Sequence, residues 1–357
     1  MAVIHRGERM VTVSVCMIVK DEEKVIGRCL SCVKSFADEI IVVDTGSKDR
    51  TIEISREMGA HVYQIPWKDD FAYARNYAFS KATKDYQFWL DADDVVDEAN
   101  QDKIIELKKE LDPSVDVVIM RYEMMHAREE TPIIFERERL LRRDKHFQWE
   151  GRVHETILPC GRILHSDITI KHRKEHVNDP MRNLRIFESM EKEGSLSAPR
   201  DQFYYARELR EHGQIQKAIA YYKEFLQQDG WIEDRLQACY ELGNCYLLIN
   251  DRKQAFNSYT SSFQYARPVS RICNAIGYWL LEEKRYEEAA YWYEQSIRST
   301  HRGGFENRDE HDFLPALQLA ICYYYLEQKE IAIHWFHFAK SIHPKHEWIK
   351  QNQPYFE

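Results

Sequence analysis

The chain has 357 residues, of which 44% are hydrophobic and 31% charged, and its formal net charge is −9. This length accommodates two domains with separate cores, and the composition is that of an ordinary globular protein. The acidic balance argues against a general nucleic-acid binder, because such proteins usually carry a basic surface. The sequence has no apolar stretch of the roughly 20 residues that a membrane-spanning helix needs. The N-terminus lacks the apolar core of a signal peptide, so we expect a cytoplasmic protein.

The first half of the chain alternates short apolar runs with helical patterns. Strands are predicted at 11–19, 39–43, 61–65 and 86–90, and helices at 25–36, 50–58 and 71–82. Continuous apolar runs are typical of parallel strands that are buried on both faces and joined by crossover helices. The pattern predicts an α/β domain, whose ligands bind at the carboxyl ends of the strands.

Two carboxylates stand where such a ligand would be expected. Asp91 and Asp93, separated by one residue, follow directly after the strand predicted at 86–90. A pair with this spacing can hold a hard divalent cation that bridges the phosphates of a nucleoside diphosphate. Taken alone, the D-x-D pattern is equally typical of an ordinary acidic turn.

The second half, from about Pro199, is helical throughout and repeats. A small residue is followed twelve positions later by alanine and then by an aromatic residue, four times in succession. The members are Ala206, Ala218 and Tyr222; Gly243, Ala255 and Tyr259; Gly277, Ala289 and Tyr293; and Ala320, Ala332 and Phe336. This resembles the tetratricopeptide pattern, in which paired helices cross at small residues. An unrelated helical bundle is the alternative.

Four motifs of the first half, in this order, resemble those of family 2 glycosyltransferases with a GT-A fold. They are Val19-Lys20-Asp21-Glu22-Glu23, the segment from Val42 to Thr51, Ala74-Arg75-Asn76, and Leu90-Asp91-Ala92-Asp93. The similarity covers about residues 11–95. It implies an α/β GT-A catalytic domain, Rossmann-like with a mostly parallel sheet, followed by an all-α tetratricopeptide-like helical repeat domain. We expect domain limits of 1–178 and 199–357, with a linker helix at 179–198.

The resemblance also implies a set of residues that bind the nucleotide of a UDP-sugar donor. These residues are Val19, Lys20, Glu22, Asp44, Arg75 and Asp91. Asp44 would hydrogen-bond the uracil or the ribose, and Asp91 would approach the ribose or the metal. Arg75 would face the nucleotide, and the alternative for it is a salt bridge to Asp69 or Asp70.

The catalytic and metal-binding residues are also expected from the resemblance. Asp93 and His172 would hold Mn²⁺ or Mg²⁺. Glu155 would act as the base that removes the acceptor proton, with His154 competing for either role. Trp149 is expected either to stack on the sugar or to pack in the core.

The combination of a GT-A domain with helical repeats is similar to bacteriocin glycosyltransferases that modify peptide cysteine or serine. The motif from Asp70 to Asn76 and the motif from Gly151 to Glu155 carry this part of the resemblance. It implies inverting transfer from a UDP-sugar to a side chain of a peptide or protein that the repeats contact. The sequence leaves the oligomeric state open, with a homodimer as one option.

Alternative functions share parts of this sequence pattern. A glycosyltransferase with a cell-surface glycan or lipid-linked acceptor would have the same N-terminal catalytic domain. A nucleotidyltransferase would usually carry a glycine-rich loop after the first strand, and the segment from Lys20 to Glu23 is not such a loop. A non-catalytic repeat adaptor would not need the acidic residues and Arg75.

Overall fold

The computed structural model describes residues 10–124, 133–175, 179–301 and 308–357. The chain divides by compactness into two units, Met1–Ile186 and Phe187–Glu357. The division falls inside the helix Arg182–Glu193, in the segment that the sequence predicts as a linker helix. The predicted limits at residues 1 and 178 lie outside the described residues, so the limits of the domains stay a prediction.

The described part of the first unit contains ten strands, and helices follow most of the early ones. The strands are β1 (Val13–Val19), β2 (Glu39–Asp44), β3 (His61–Gln64), β4 (Tyr86–Trp89), β5 (Asp94–Val95), β6 (Val117–Met124), β7 (Ile133–Arg142), β8 (Trp149–Glu150), β9 (Thr156–Ile157) and β10 (Ile163–His172). The helices are α1 (Ile26–Val33), α2 (Thr51–Glu57), α3 (Phe71–Lys81), α4 (Glu98–Glu110) and the start of α5 (Arg182–Glu193), with a 3₁₀ turn at Arg143–Lys145.

Eight of these strands form one sheet in the order β3-β2-β1-β4-β7-β6-β10-β5. Strands β3, β2, β1 and β4 are parallel to one another, as are β6 and β10, whereas β7 and β5 run antiparallel to their neighbours. The remaining strands, β8 and β9, form a separate hairpin. The prediction of an α/β domain with a mostly parallel sheet is therefore confirmed.

Both faces of the central strand β1 are covered, which explains its continuous apolar sequence. Val13, Val15 and Met17 point into one core cluster, and Cys16 belongs to the cluster on the opposite face. Alternate residues of a strand face opposite sides of the sheet, so a strand buried on both sides needs apolar residues at nearly every position.

The second unit consists of helices arranged in consecutive pairs. They are the end of α5 (Arg182–Glu193), then α6 (Pro199–Glu211), α7 (Ile215–Leu226), α8 (Ile232–Leu248), α9 (Arg252–Ser261), α10 (Ser270–Glu282), α11 (Tyr286–Arg298), α12 (Phe313–Tyr325), α13 (Lys329–Ile342) and α14 (Glu347–Phe356), with 3₁₀ turns at Ser262–Gln264 and Arg308–Glu310.

The four predicted triplets lie at equivalent places in four helix pairs, which confirms the repeat. In each pair the small residue is on the first helix, and the alanine and the aromatic residue are on the second. At Gly243 an added Cβ would lie 2.2 Å from the Tyr259 ring, and at Gly277 it would lie 2.9 Å from the Tyr293 ring. The small residue thus makes room for the aromatic ring of its partner helix.

Within the described ranges, no helix combines the length and the apolar composition that a membrane crossing requires.

Candidate active site

A cleft of about 870 Å³ opens at the carboxyl ends of β1 and β4. Its wall includes eight residues that the sequence analysis selected, namely Val19, Lys20, Glu22, Arg75, Asp91, Asp93, His154 and Glu155. His172, at the end of β10, lines it as well. The fold therefore brings nine of the ten selected residues to one cleft, and Asp44 is the exception.

The acidic turn after β4 is closed by its own hydrogen bonds. Asp91 donates its backbone N–H to Asp94 Oδ2 at 3.0 Å, and Asp94 N–H donates back to the Asp91 carbonyl at 3.0 Å. The carboxylate of Asp93 lies on the cleft wall within this closed turn. Asp94 pairs with His172 where β5 meets β10, which places the histidine beside the turn.

Three side chains around this turn could hold a metal ion. One ligand atom from each of Asp93, Asp94 and His172 lies within 4.8 Å of the others. His172 Nδ1 is 3.3 Å from an oxygen of Asp93 and also 3.3 Å from an oxygen of Asp94. Carboxylate oxygens suit Mg²⁺ and Mn²⁺, and imidazole is a common ligand of transition metals.

The electrostatics of the cleft fit a bound cation. Burial and the negative charges of Asp93 and Asp91 raise the pKa of Glu22 to about 7. Burial, with the charges of Asp91 and Asp94, also raises the pKa of Asp93 despite the opposing effect of His172. Carboxylates that repel one another in this way are stabilised when a divalent cation is added between them.

Arg75 lines the cleft and binds two carboxylates. It is 8% exposed; its Nε donates to Glu155 Oε1 at 2.6 Å and its Nη2 to Asp91 Oδ1 at 2.7 Å. Burial raises the pKa of Asp91, but Arg75 and Arg139 outweigh that effect and lower the pKa to about 2. Neither predicted alternative partner binds Arg75: Asp70 caps α3, and Asp69 accepts a hydrogen bond from Trp67.

The residue next to Arg75 anchors the segment that carries Glu155. Asn76 Nδ2 donates to the Trp149 carbonyl at 2.9 Å, and Asn76 Oδ1 accepts from Trp149 N–H at 2.8 Å. The Trp149 ring is 3% exposed and packs against Trp89, so of the two expectations for Trp149 the structure supports packing. The two motifs that carried the resemblance to peptide glycosyltransferases also contact each other directly, because Arg75 Nε donates to Glu155 Oε1 and Phe71 N–H donates to the Arg152 carbonyl at 2.9 Å.

The loops after β1 and β2 are joined by hydrogen bonds. Asp21 N–H donates to Ser47 Oγ at 2.9 Å, and Glu22 N–H donates to Thr51 Oγ1 at 2.7 Å. Asp21 has a φ of 56°, a left-handed conformation that turns the chain sharply after the strand. This turn places Lys20 and Glu22 on the cleft wall.

Asp44 departs from its expected position. Its side chain is 0% exposed and does not line the cleft, and its Oδ1 accepts the N–H groups of Gly46 and Ser47 at 3.0 and 3.1 Å. Gly46 has a φ of 111°, so the carboxylate stabilises a turn that favours glycine. Oδ2 is buried and has no hydrogen-bond partner among the described residues. A nucleotide could contact this oxygen directly only if the residues that bury it moved.

Sequence reasoning missed several residues of the site. Asp94 extends the run of aspartates and could for that reason have been predicted as a site residue. Nothing in the sequence reveals that it is buried. Among the unselected residues that line the cleft itself are Trp67, Tyr122, Lys174 and Arg182. They come from a loop, from β6 and from the region after β10, where no motif marks them.

The chain is similar in sequence to known glycosyltransferases and repeat proteins. Residues 14–172 match the family described as Glycosyl transferase family 2. A TPR repeat-containing protein of Synechococcus elongatus is 51% identical over 88 residues, which cover 25% of this chain and 22% of that protein. The SPbeta prophage-derived glycosyltransferase SunS of Bacillus subtilis is 28% identical over 249 residues, which cover 64% of this chain and 58% of SunS.

An uncharacterized glycosyltransferase of Rickettsia typhi is 36% identical over 95 residues, which cover 27% of this chain and 32% of that protein. The chain therefore spans less than two thirds of the length of each of these relatives. The matched family, the sheet and the helix pairs agree with one another. Residues 14–172, within the first unit, are similar to family 2 glycosyltransferases and form a GT-A-like, mostly parallel sheet, and tetratricopeptide-like helical repeats follow them.

Proposed function

We propose that this protein is an inverting, metal-dependent glycosyltransferase that transfers a sugar from a UDP-sugar to a cysteine or serine of a peptide or protein. The observation that carries the proposal is the convergence of Glu22, Asp91, Asp93 and His172 on one cleft of a family 2 domain. Acidic groups crowded into a cleft would repel a bare diphosphate, so the donor has to enter with a cation.

Asp93 and His172 would hold this cation. One carboxylate and one imidazole favour Mn²⁺ over Mg²⁺, because Mg²⁺ sites are built almost entirely from oxygen ligands. When bound, the cation supplies positive charge that stabilises the departing diphosphate. Val19, Lys20 and Glu22 would position the nucleotide from the loop after β1, and Asp91 would approach its ribose. Asp44 would contact the nucleotide only if nucleotide binding moved the residues that bury its Oδ2.

Arg75 holds two carboxylates of this site in place, those of Asp91 and Glu155. Its guanidinium bridges Asp91, on the donor side, to Glu155, in the loop that joins β8 to β9. We propose that this bridge sets the distance between donor and base, in addition to any contact that Arg75 makes with the nucleotide. Its Nη1 is buried and unpaired among the described residues, and this nitrogen is the one available for such a contact.

The transfer step needs a base for the acceptor proton. Oε1 of Glu155 is bound by Arg75, which leaves Oε2 to accept the proton from the acceptor hydroxyl or thiol. The acceptor oxygen or sulfur then bonds to the anomeric carbon from the face opposite the diphosphate. The bond from that carbon to the phosphate oxygen breaks, and UDP leaves with the electron pair. His154 lines the same cleft and is the alternative base.

The repeat unit contains a pocket that supports a peptide acceptor. It measures about 320 Å³ and lies among α8 to α12, with Tyr240, Tyr278, Trp279 and Leu314 in its wall. Asn274 is 6% exposed and donates Nδ2–H to the Glu310 carbonyl at 2.7 Å. Its Oδ1 and Trp279 Nε1 lack partners among the described residues, so the pocket offers both an acceptor and a donor. A peptide backbone provides the complementary pair at every residue.

Mass spectrometry of candidate peptides tests this proposal. The full chain is incubated with Mn²⁺ and each of several UDP-sugars, together with cysteine- or serine-containing peptides encoded near its gene. We expect a mass increase of one sugar on a cysteine or serine. The Asn274→Leu variant should bind UDP as the wild type does but modify the peptide more slowly. Transfer to a glycan or lipid-linked acceptor, with none to peptides, would contradict the peptide assignment.

A further inference from the structure

A fully buried ion pair lies directly behind the proposed cation site. Arg139, on β7, and Asp94, on β5, are both 0% exposed, and Arg139 Nη1 lies 3.2 Å from Asp94 Oδ2. The same nitrogen donates to the Trp89 carbonyl at 3.1 Å, at the end of β4. The guanidinium also lies 3.6 Å from the centre of the Trp89 ring. Arg139 therefore ties the acidic turn to the strand that precedes it.

Both oxygens of Asp94 are already engaged. Oδ1 accepts the Tyr122 hydroxyl at 2.7 Å and lies 3.3 Å from His172 Nδ1. Oδ2 accepts the Asp91 N–H at 3.0 Å and binds Arg139. The Tyr122 hydroxyl is also 2.9 Å from His172 Nδ1. A carboxylate in this position fixes a histidine and a turn, and it has little capacity left to bind a cation.

We propose that Asp94, although it belongs to the three-residue cluster, is a positioning residue for the cation site and not a ligand. Arg139 neutralises its charge and fixes Oδ2, and Tyr122 fixes Oδ1. Asp94 in turn sets the shape of the turn that presents Asp93 and the orientation of His172. This inference rests on the proposed function, because it concerns the cation that the donor would bring.

The two roles for Asp94 predict opposite effects of weakening its contact with Arg139. If Asp94 were a ligand, a weaker contact would free its carboxylate, and cation affinity would stay equal or rise. If Asp94 is a positioning residue, the turn and His172 lose their support and cation affinity falls. Loss of a residue that orients metal ligands typically lowers metal affinity about 10–100-fold.

The Arg139→Lys variant of the full chain separates these outcomes. Lysine keeps the charge but lacks the planar guanidinium that lies against the Trp89 ring and orients Nη1 toward both Asp94 and the Trp89 carbonyl. Calorimetric titration with UDP, in Mn²⁺ and in EDTA, gives the factor by which Mn²⁺ tightens UDP binding. We expect this factor to fall about 10–100-fold in Arg139→Lys, with metal-free UDP binding unchanged. Direct Mn²⁺ titration, followed by the electron paramagnetic resonance signal of free Mn²⁺, should show the same loss.

The matched control is Arg142→Lys on the same strand. Arg142 binds Asp116 at 3.1 Å, away from the cleft, so its replacement should leave the Mn²⁺ factor at the wild-type value. If Arg139→Lys is too unstable to assay, Tyr122→Phe tests the other support of Asp94, and we expect a drop of about tenfold or more.

An equal or larger Mn²⁺ factor in a folded Arg139→Lys or Tyr122→Phe protein would overturn the positioning role. Absence of any Mn²⁺ effect in the wild type would instead contradict the proposed function, and the inference would fall with it.

Discussion

Arg75 and Glu155 are 80 residues apart in sequence, yet Nε of the arginine lies 2.6 Å from Oε1 of the glutamate on the wall of the cleft. The other side of the same guanidinium binds Asp91. Through this one side chain, α3 connects the acidic turn that would face the donor to the segment that would face the acceptor.

Removal of the Arg75 charge should destabilise the first unit. Arg75→Met leaves Asp91 and Glu155 without their counter-charge in a mostly buried site, which typically costs about 3–5 kcal/mol. Urea denaturation followed by tryptophan fluorescence would measure the change. The control Arg50→Met breaks an exposed pair with Glu53 and should change stability far less, because solvent screens exposed ion pairs. Equal losses in the two variants would contradict the structural role of Arg75.

Replacement of Glu155 should separate binding from turnover. In Glu155→Gln the amide oxygen can still accept from Arg75, so UDP affinity should be kept. Turnover with a serine acceptor should fall about 10²–10⁴-fold, the usual contribution of a positioned base. A cysteine acceptor should lose less as the pH rises, because a thiol ionises near pH ~8.5 without help. If Glu155→Gln keeps nearly the wild-type turnover while His154→Ala is inactive, the base is His154 and not Glu155.

Much of the fold, and less of the site, could be predicted from the sequence. Strand β1 and the turn after β4 were predictable because apolar runs and strand-end carboxylates are local signals. The antiparallel pair of β6 and β7 was not predicted, because charged residues interrupt both strands, at Arg121 and Glu123 and from Glu136 to Arg139. The contact between Arg75 and Glu155 could not be predicted, because it depends on where Asn76 anchors the chain at Trp149. Burial of Asp44 is also a tertiary property that its motif does not reveal.

Replacement of Asp93 should remove the effect of the metal on donor binding. Asp93→Asn loses the charged oxygen that faces the cleft, so Mn²⁺ should no longer tighten UDP binding while the protein stays folded. Calorimetry of UDP with and without Mn²⁺ is the measurement. Asp167→Asn, at an exposed pair with Lys103, is the control and should behave as the wild type. Persistence of the Mn²⁺ effect in Asp93→Asn would remove Asp93 from the metal site.

The helix crossing at Gly243 should tolerate no larger side chain. In Gly243→Ala the new Cβ would lie 2.2 Å from the Tyr259 ring, and such overpacking costs about 1–3 kcal/mol. Gly27→Ala is the contrasting variant: its Cβ would meet Ile54 at an ordinary 3.6 Å, and helix α1 should gain up to about 1 kcal/mol. Thermal unfolding of both variants checks the difference. A Gly243→Ala protein as stable as the wild type would contradict the crossing geometry.

Release of UDP from UDP-sugars by the full chain tests the central claim most directly. The assay compares a panel of UDP-sugars in Mn²⁺, in Mg²⁺ and in EDTA, with Asp93→Asn as the inactive reference. The account predicts release from at least one UDP-sugar that requires the divalent cation and is lost in Asp93→Asn. Release that continues undiminished in EDTA, or the absence of both release and UDP binding under every metal condition, would contradict it.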